Sequence, residues 1–282
     1  SANTISGNTA EEDGGAAHTC SGTLQNNQFV SNTAKGNGGA LAACNGWILD
    51  NEFTNNVAEG NGGAIAKCRP TSMKSNKFIG NEARNGGAIF DVNGLIEQNE
   101  VLANVASVNG GGLYQCHGKI QNNTIRGNSA GDSGGGLADC DGTIQLNKDI
   151  SANEAVNAGG AFFGCDGTIQ RNRVFANKAL RGGALAGCNG VVRNNLVYEN
   201  IATGSGGAAA DSAASILNNT FHGNEAPATD GAVSGLVNCR GEIVNNVIWG
   251  GKPVSAAALG ASATPMYCVI TEIGRASCRE RV

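Results

Sequence analysis

The chain has 282 residues, 40% of them apolar, 15% charged and 5% aromatic, with a net charge of −4. This apolar content can build one continuous core and excludes a disordered chain, while 44 glycines beside 4 prolines put the turns on Gly and Asn rather than Pro. No basic block with interleaved aromatics marks a nucleic-acid surface, and no run of 18 apolar residues marks a membrane span.

Ser1-Ala2-Asn3-Thr4-Ile5 enters a repeat in mid-unit, so the expectation at this end is a truncated chain. From there Gly-Gly pairs recur at 14-15, 38-39, 62-63, 86-87, 111-112, 135-136, 159-160, 182-183 and 206-207, with Asp230-Gly231 in the tenth place. A period of roughly 24 residues is the signature of a solenoid.

Three apolar columns follow each pair. Leu41, Ile65, Ile89, Leu113, Leu137, Phe162 and Leu185 form the first, and Leu24, Ile48, Ile96, Ile120, Ile144, Ile169, Val192, Ile216 and Ile243 the second. Phe29, Phe53, Phe78, Val101, Ile125, Ile150, Val174, Val197, Phe221 and Ile248 form the third. Single β-branched or aromatic residues flanked by polar ones describe short strands, which predicts three per turn. The expected fold is all-β: a right-handed, single-stranded parallel β-helix of about ten rungs over 1–249, with a partial further rung at 250–271.

Two asparagine columns separate these strands, one from Asn27 to Asn246 and one from Asn32 to Asn224. Asn tolerates a left-handed corner and can bond its amide to the stacked amide of the next rung, so these columns read as corners. The alanines from Ala34 to Ala226 read as packing at a cramped corner. Cys20, Cys44, Cys68, Cys116, Cys140, Cys165 and Cys188 share one column in which Val92 and Ser212 also stand, with Cys239 in a shifted tenth rung. One cysteine per rung, replaceable by Val, suits a buried thiol ladder better than rung-to-rung disulfides or a metal site. No metal ligands are assigned.

The strongest candidate for chemistry flanks that column. His117, Asp141 and Asp166 stack on three successive rungs, with Asp139 across Cys140. Stacked carboxylates repel, which raises a pKa or recruits calcium, an ion that accepts several oxygen ligands; no other cofactor is expected. Asp-Gly and Asn-Gly at the same positions are ordinary turn chemistry, and the column is read first as a turn and second as a ligand site. Phe90, Tyr114 and Phe163 share a position beside it and suit either partial burial or sugar stacking. The ligand-binding candidates are therefore His117, Asp139, Asp141, Asp166, Tyr114 and Phe163, and no residue is assigned a catalytic role. His18 and His222 read as solvated surface residues.

Towards the end, Asn246-Val247-Ile248-Trp249-Gly250 and Thr264-Pro265-Met266-Tyr267-Cys268 close the array, and 272–282 breaks every column. That last segment resembles translated sequencing-adapter DNA, so a non-native tail is expected there. Gly62-Gly63-Ala64-Ile65 and Phe53-Thr54-Asn55-Asn56 resemble the repeats of bacterial polymorphic outer-membrane proteins. The whole of 1–271 is similar to secreted right-handed β-helix repeat proteins of bacteria, whose scaffold is shared with pectate-lyase-like enzymes. The resemblance implies an extracellular or outer-surface location and a non-catalytic, adhesin-like scaffold with a polysaccharide or cell-surface ligand. The alternatives are a polysaccharide lyase or glycoside hydrolase, and a spacer for further domains. Fold alone does not choose among them.

Overall fold

The computed structural model describes residues 2–227 and 235–250 and the backbone of the strand Val269–Thr271. The expected partial rung at 250–271 and the tail at 272–282 otherwise lie outside the described residues, as does Asp230-Gly231.

All strands run parallel and each pairs with its counterpart one rung away, building a β-solenoid. One rung shows the plan: Leu41–Ala42 (face 1), Asn45–Leu49 (face 2), Glu52–Thr54 (face 3) and Val57–Ala58 (face 4). These faces stack into sheets of ten, ten, twelve and nine strands. The count per turn is thus four, not the three expected. The alanine column, read as a corner, is itself a face: Ala34 pairs with Ala58, and Ala106 with Ala130. A two-residue strand with a methyl as its only inward group has too little apolar signal to be seen as a strand.

Each corner turns on one left-handed residue, in this rung Ala43 (φ 52°), Asp50 (53°), Asn55 (55°) and Gly62 (69°). The ladder asparagines do not carry the left-handed backbone, contrary to expectation; the residue before each does, as at Asn26, Ser31, Asp50 and Asn55. One left-handed residue bends the chain and points the next side chain inward, which is how Asn27, Asn32, Asn51 and Asn56 come to be buried.

The Gly-Gly pair answers two separate demands. Gly62 has φ +69°, and a Cβ there would lie 2.3 Å from the Ile65 carbonyl oxygen. Gly63 has no such dihedral, but a Cβ would lie 2.2 Å from the carbonyl oxygen of Gly87 on the next rung. A side chain at the first position strains the corner itself, and one at the second forces the rungs apart.

In-register pairing stacks like on like. Phe29, Phe53 and Phe78 are aligned on face 3, with ring centroids 4.8 and 4.9 Å apart and planes within 5°. Full burial of each large side chain contributes roughly 1.5–3 kcal/mol, and the apolar columns merge into one core running along the rod. The third rung holds Met73 in the isoleucine column, displaced in sequence by a bulge between Pro70 and Ser72.

The cysteine column is a ladder of free, mostly buried thiols. From Cys44 onward the thiols donate to the carbonyl two residues back, as Cys140 does to Ala138 at 3.3 Å, and several accept an N–H from the preceding rung, as Cys140 does from Cys116 at 3.4 Å. Ser212 does the same, with Oγ donating to Ala210 at 2.9 Å and accepting the N–H of Cys188 at 3.2 Å. Burial pushes the Cys239 thiol up to about 12, far from nucleophilic use.

Candidate functional site

The six candidates gather at the corner between faces 1 and 2, on rungs five to seven. His117, Asp141 and Asp166 do stack, and what they do there is structural first. The N–H of His117 donates to Asn93 Oδ1 (2.9 Å), that of Asp141 to His117 Nδ1 (3.3 Å), and that of Asp166 to Asp141 Oδ1 (3.0 Å). Asn189 and Ala213 continue upward through Asp166 Oδ1 (2.8 Å) and Asn189 Oδ1 (3.1 Å). Any short side chain with an acceptor serves this staircase, which explains why Asp, Asn and His interchange along the column.

His117 has a second geometry within reach. Its Nδ1 lies 3.5 Å from Asp141 Oδ2 as well as 3.3 Å from Asp141 N. A lone pair on Nδ1 serves the backbone N–H; a proton there serves the carboxylate instead.

Asp139 is placed differently. It is the left-handed residue before Cys140 (φ 50°) and is half-buried, its Oδ1 resting where a Cβ on Gly164 would be, 2.6 Å away. Burial holds its carboxyl above the ordinary aspartate value, and the charges of Asp141 and Asp166 add to the rise. The neighbouring Tyr114 hydroxyl favours the ionised carboxylate and partly offsets the rise. Burial and then the Asp139 charge push the Tyr114 phenol up in turn.

The aromatic position faces outward. In Leu113–Tyr114 and Phe162–Phe163 the first residue enters the core and the second is half-buried on the exterior of face 1. Phe90 and Tyr114 stack with centroids 5.8 Å apart, whereas Ala138 stands between Tyr114 and Phe163, whose ring packs over Gly187 instead. The corner therefore sets Tyr114 near Asp139 and leaves Phe163 apart. Among the described residues no group of three or more His, Cys, Asp or Glu side chains is arranged to hold a metal ion.

Other exterior features escaped the sequence reading. A third amide ladder precedes the Gly-Gly pairs, with Asn37 Nδ2 donating to Asp13, Asn61 to Asn37 and Asn85 to Asn61. A polar rail along face 2 links Glu97, Gln121, Gln145, Gln170 and Arg193 at 2.8–3.0 Å. On face 3, Phe175, Tyr198, His222 and Trp249 occupy one outward column on four successive rungs. His222 is thus not a solvated residue: its ring lies 4.4 Å from that of Trp249, and its Nδ1 is enclosed without a hydrogen-bond partner among the described residues. The spacing of 23 to 27 residues between these four aromatics was the available signal.

Residues 52–66 match the Chlamydia polymorphic membrane protein repeat. In the structure that stretch is faces 3 and 4 of one rung, its Gly62-Gly63 corner and the start of face 1 on the next. No curated protein and no solved structure matches the chain. Among the described residues no helix is long and apolar enough to cross a membrane.

Proposed function

We propose that this chain is the non-catalytic scaffold of a surface-exposed protein that binds polysaccharide at the corner between faces 1 and 2. The observation that carries the reading is the Tyr114–Asp139 pair beside the His117–Asp141–Asp166 staircase. An outward aromatic ring near a half-buried carboxylate offers a sugar both an apolar surface and hydrogen-bond acceptors. The surface location is supported by the likeness of one rung to the polymorphic membrane protein repeat.

Catalysis is disfavoured because one acceptor of His117, Asp141 and Asp166 is already committed to a backbone N–H of the next rung. A general acid or base needs its proton site free to meet substrate. The described rungs also keep a near-constant period, giving no long loop to wall a cleft.

The test is a glycan array with a parallel polysaccharide-cleavage screen, run with calcium and with chelator. The wild type is compared with Asp139→Asn/Asp141→Asn/Asp166→Asn, which keeps an acceptor at each staircase position, and with the matching alanine variant. Binding without cleavage, weakened by both variants and indifferent to chelator, is the expected result. Cleavage by the wild type that the asparagine variant loses would make the corner an active site and overturn the reading.

A further inference from the structure

Phe175 and Tyr198 lie parallel within 9°, with centroids 4.9 Å apart. A ring is only ~3.5 Å thick at contact, so parallel rings in contact at that spacing are slipped and each keeps part of a face uncovered. The Arg173 guanidinium sits 5.4 Å from the Phe175 centroid and 5.9 Å from that of Tyr198, and its Nη2 donates to Tyr198 Oη at 2.7 Å. His222 and Trp249 extend the column over the next two rungs. Leu196 and Trp249, 38% and 36% exposed, leave this face open to solvent.

Basic residues gather on these rungs, of which Arg171 and Arg173 adjoin face 3 while Lys178 and Arg181 lie on face 4 and Arg193 on face 2. Between Asp166 and Glu199 the chain carries Arg171, Arg173, Lys178, Arg181 and Arg193 and no acidic residue, in a protein of net charge −4. Lys178 and Arg181 are paired with Glu154 and Asp211. Among the described residues Arg171 and Arg173 have no carboxylate partner. Asp149, the acidic residue below Arg173 in the column, is held by Arg126 and Ser151.

We infer that the outer side of face 3 on rungs seven to ten is a docking strip for an anionic glycan chain. The rung spacing of about 4.8 Å approximates the length of one pyranose in an extended chain, so successive sugars meet successive rings. Arg171 and Arg173 supply forked donors for a sulfate or carboxylate at one end of the strip. Single-stranded nucleic acid fits less well. Two arginines without a carboxylate partner do not match a phosphate on every nucleotide. The strip lies on another face from the Tyr114–Asp139 corner, so either site can fail without the other.

The experiment measures binding of the full chain to heparin, hyaluronate, neutral dextran and a single-stranded oligothymidylate at two salt concentrations. The comparison is among wild type, Arg171→Gln/Arg173→Gln, Tyr198→Leu/Trp249→Leu and, as a control on face 3 outside the strip, Lys77→Gln, each checked for its β-sheet circular dichroism. Heparin or hyaluronate should bind in a salt-sensitive way, dextran at least about tenfold more weakly, and the arginine and aromatic pairs should each lose about tenfold. Preference for heparin points to sulfate recognition and preference for hyaluronate, whose only anionic group is a carboxylate, to carboxylate recognition; Lys77→Gln should leave both unchanged. Equal affinity for dextran, unchanged affinity in either strip variant, or tighter binding of the oligonucleotide would overturn the inference.

Discussion

Asn51 Nδ2 donates to Asn76 Oδ1 at 3.1 Å across 25 residues of sequence and one rung of structure. Its other Nδ2 hydrogen bonds the Leu24 carbonyl (2.9 Å), and its own Oδ1 receives both the N–H and the Nδ2 of Asn27 (3.0 and 3.1 Å). A buried amide with both donors and two acceptor sites filled has nothing left unsatisfied. The second ladder repeats the arrangement at Asn56, Asn81 and Asn104.

Removing one mid-ladder amide strips partners from both adjacent rungs. Asn123 bonds to Asn147, to the Ile96 carbonyl and, through Oδ1, to the N–H and amide of Asn99. Each buried group left unpaired costs about 1–3 kcal/mol, so Asn123→Leu should destabilise the protein by about 3 kcal/mol or more in urea unfolding. A change below about 1 kcal/mol would mean that the ladder follows the fold rather than holding it.

The period, the parallel stacking and the ladders were legible because each reduces to one residue type recurring in a column. The fourth face was not, since its inward group is only the methyl of Ala58 or Ala83. Met73 was hidden by the bulge before it. At the candidate corner the stack of His117, Asp141 and Asp166 could be read from spacing. That their acceptors hold backbone N–H groups could not, because it depends on the left-handed residues that set the corner. The aromatic column on face 3 was overlooked because Phe, Tyr, His and Trp differ as letters and agree only as rings.

Gly111 and Gly127 should respond very differently to alanine. A Cβ at Gly111 would lie 2.3 Å from the carbonyl oxygen of Gly135, with the Ser129 backbone at 2.6 Å. Gly127 is left-handed (φ 65°) yet open, its nearest neighbour at 4.0 Å, and Ala103, Ala152 and Ala176 take the same conformation in its column. Gly127→Ala should therefore cost only about 1 kcal/mol, while Gly111→Ala should cost several times as much or prevent folding. Comparable unfolding midpoints for the two variants would contradict this account of the Gly-Gly repeat.

Ser212 predicts the behaviour of the thiols, since it makes the same two hydrogen bonds as its cysteine neighbours. Cys140→Ser should keep the bonds to Ala138 and Cys116 and change stability by less than about 1 kcal/mol. Cys140→Ala loses both and leaves a small void, and should cost about 1–3 kcal/mol. Thermal unfolding with and without reductant measures both effects; a cost for serine equal to that for alanine would point to a role for sulfur beyond hydrogen bonding.

Asp139 makes stability depend on pH in a direction opposite to that of most carboxylates. Its folded-state pKa lies above the ordinary value of 3.8, chiefly through burial. The folded protein thus holds this proton more tightly than the unfolded chain does. The contribution of Asp139 is fully present below 3.8 and is lost as pH rises through the folded value. Asp139→Asn removes this dependence, because an amide stays neutral across the range. The melting temperature of the variant minus that of the wild type should therefore grow from pH 3 towards pH 7. A difference that is flat, or that shrinks over that range, would show that the surroundings favour the ionised carboxylate over the burial that opposes it.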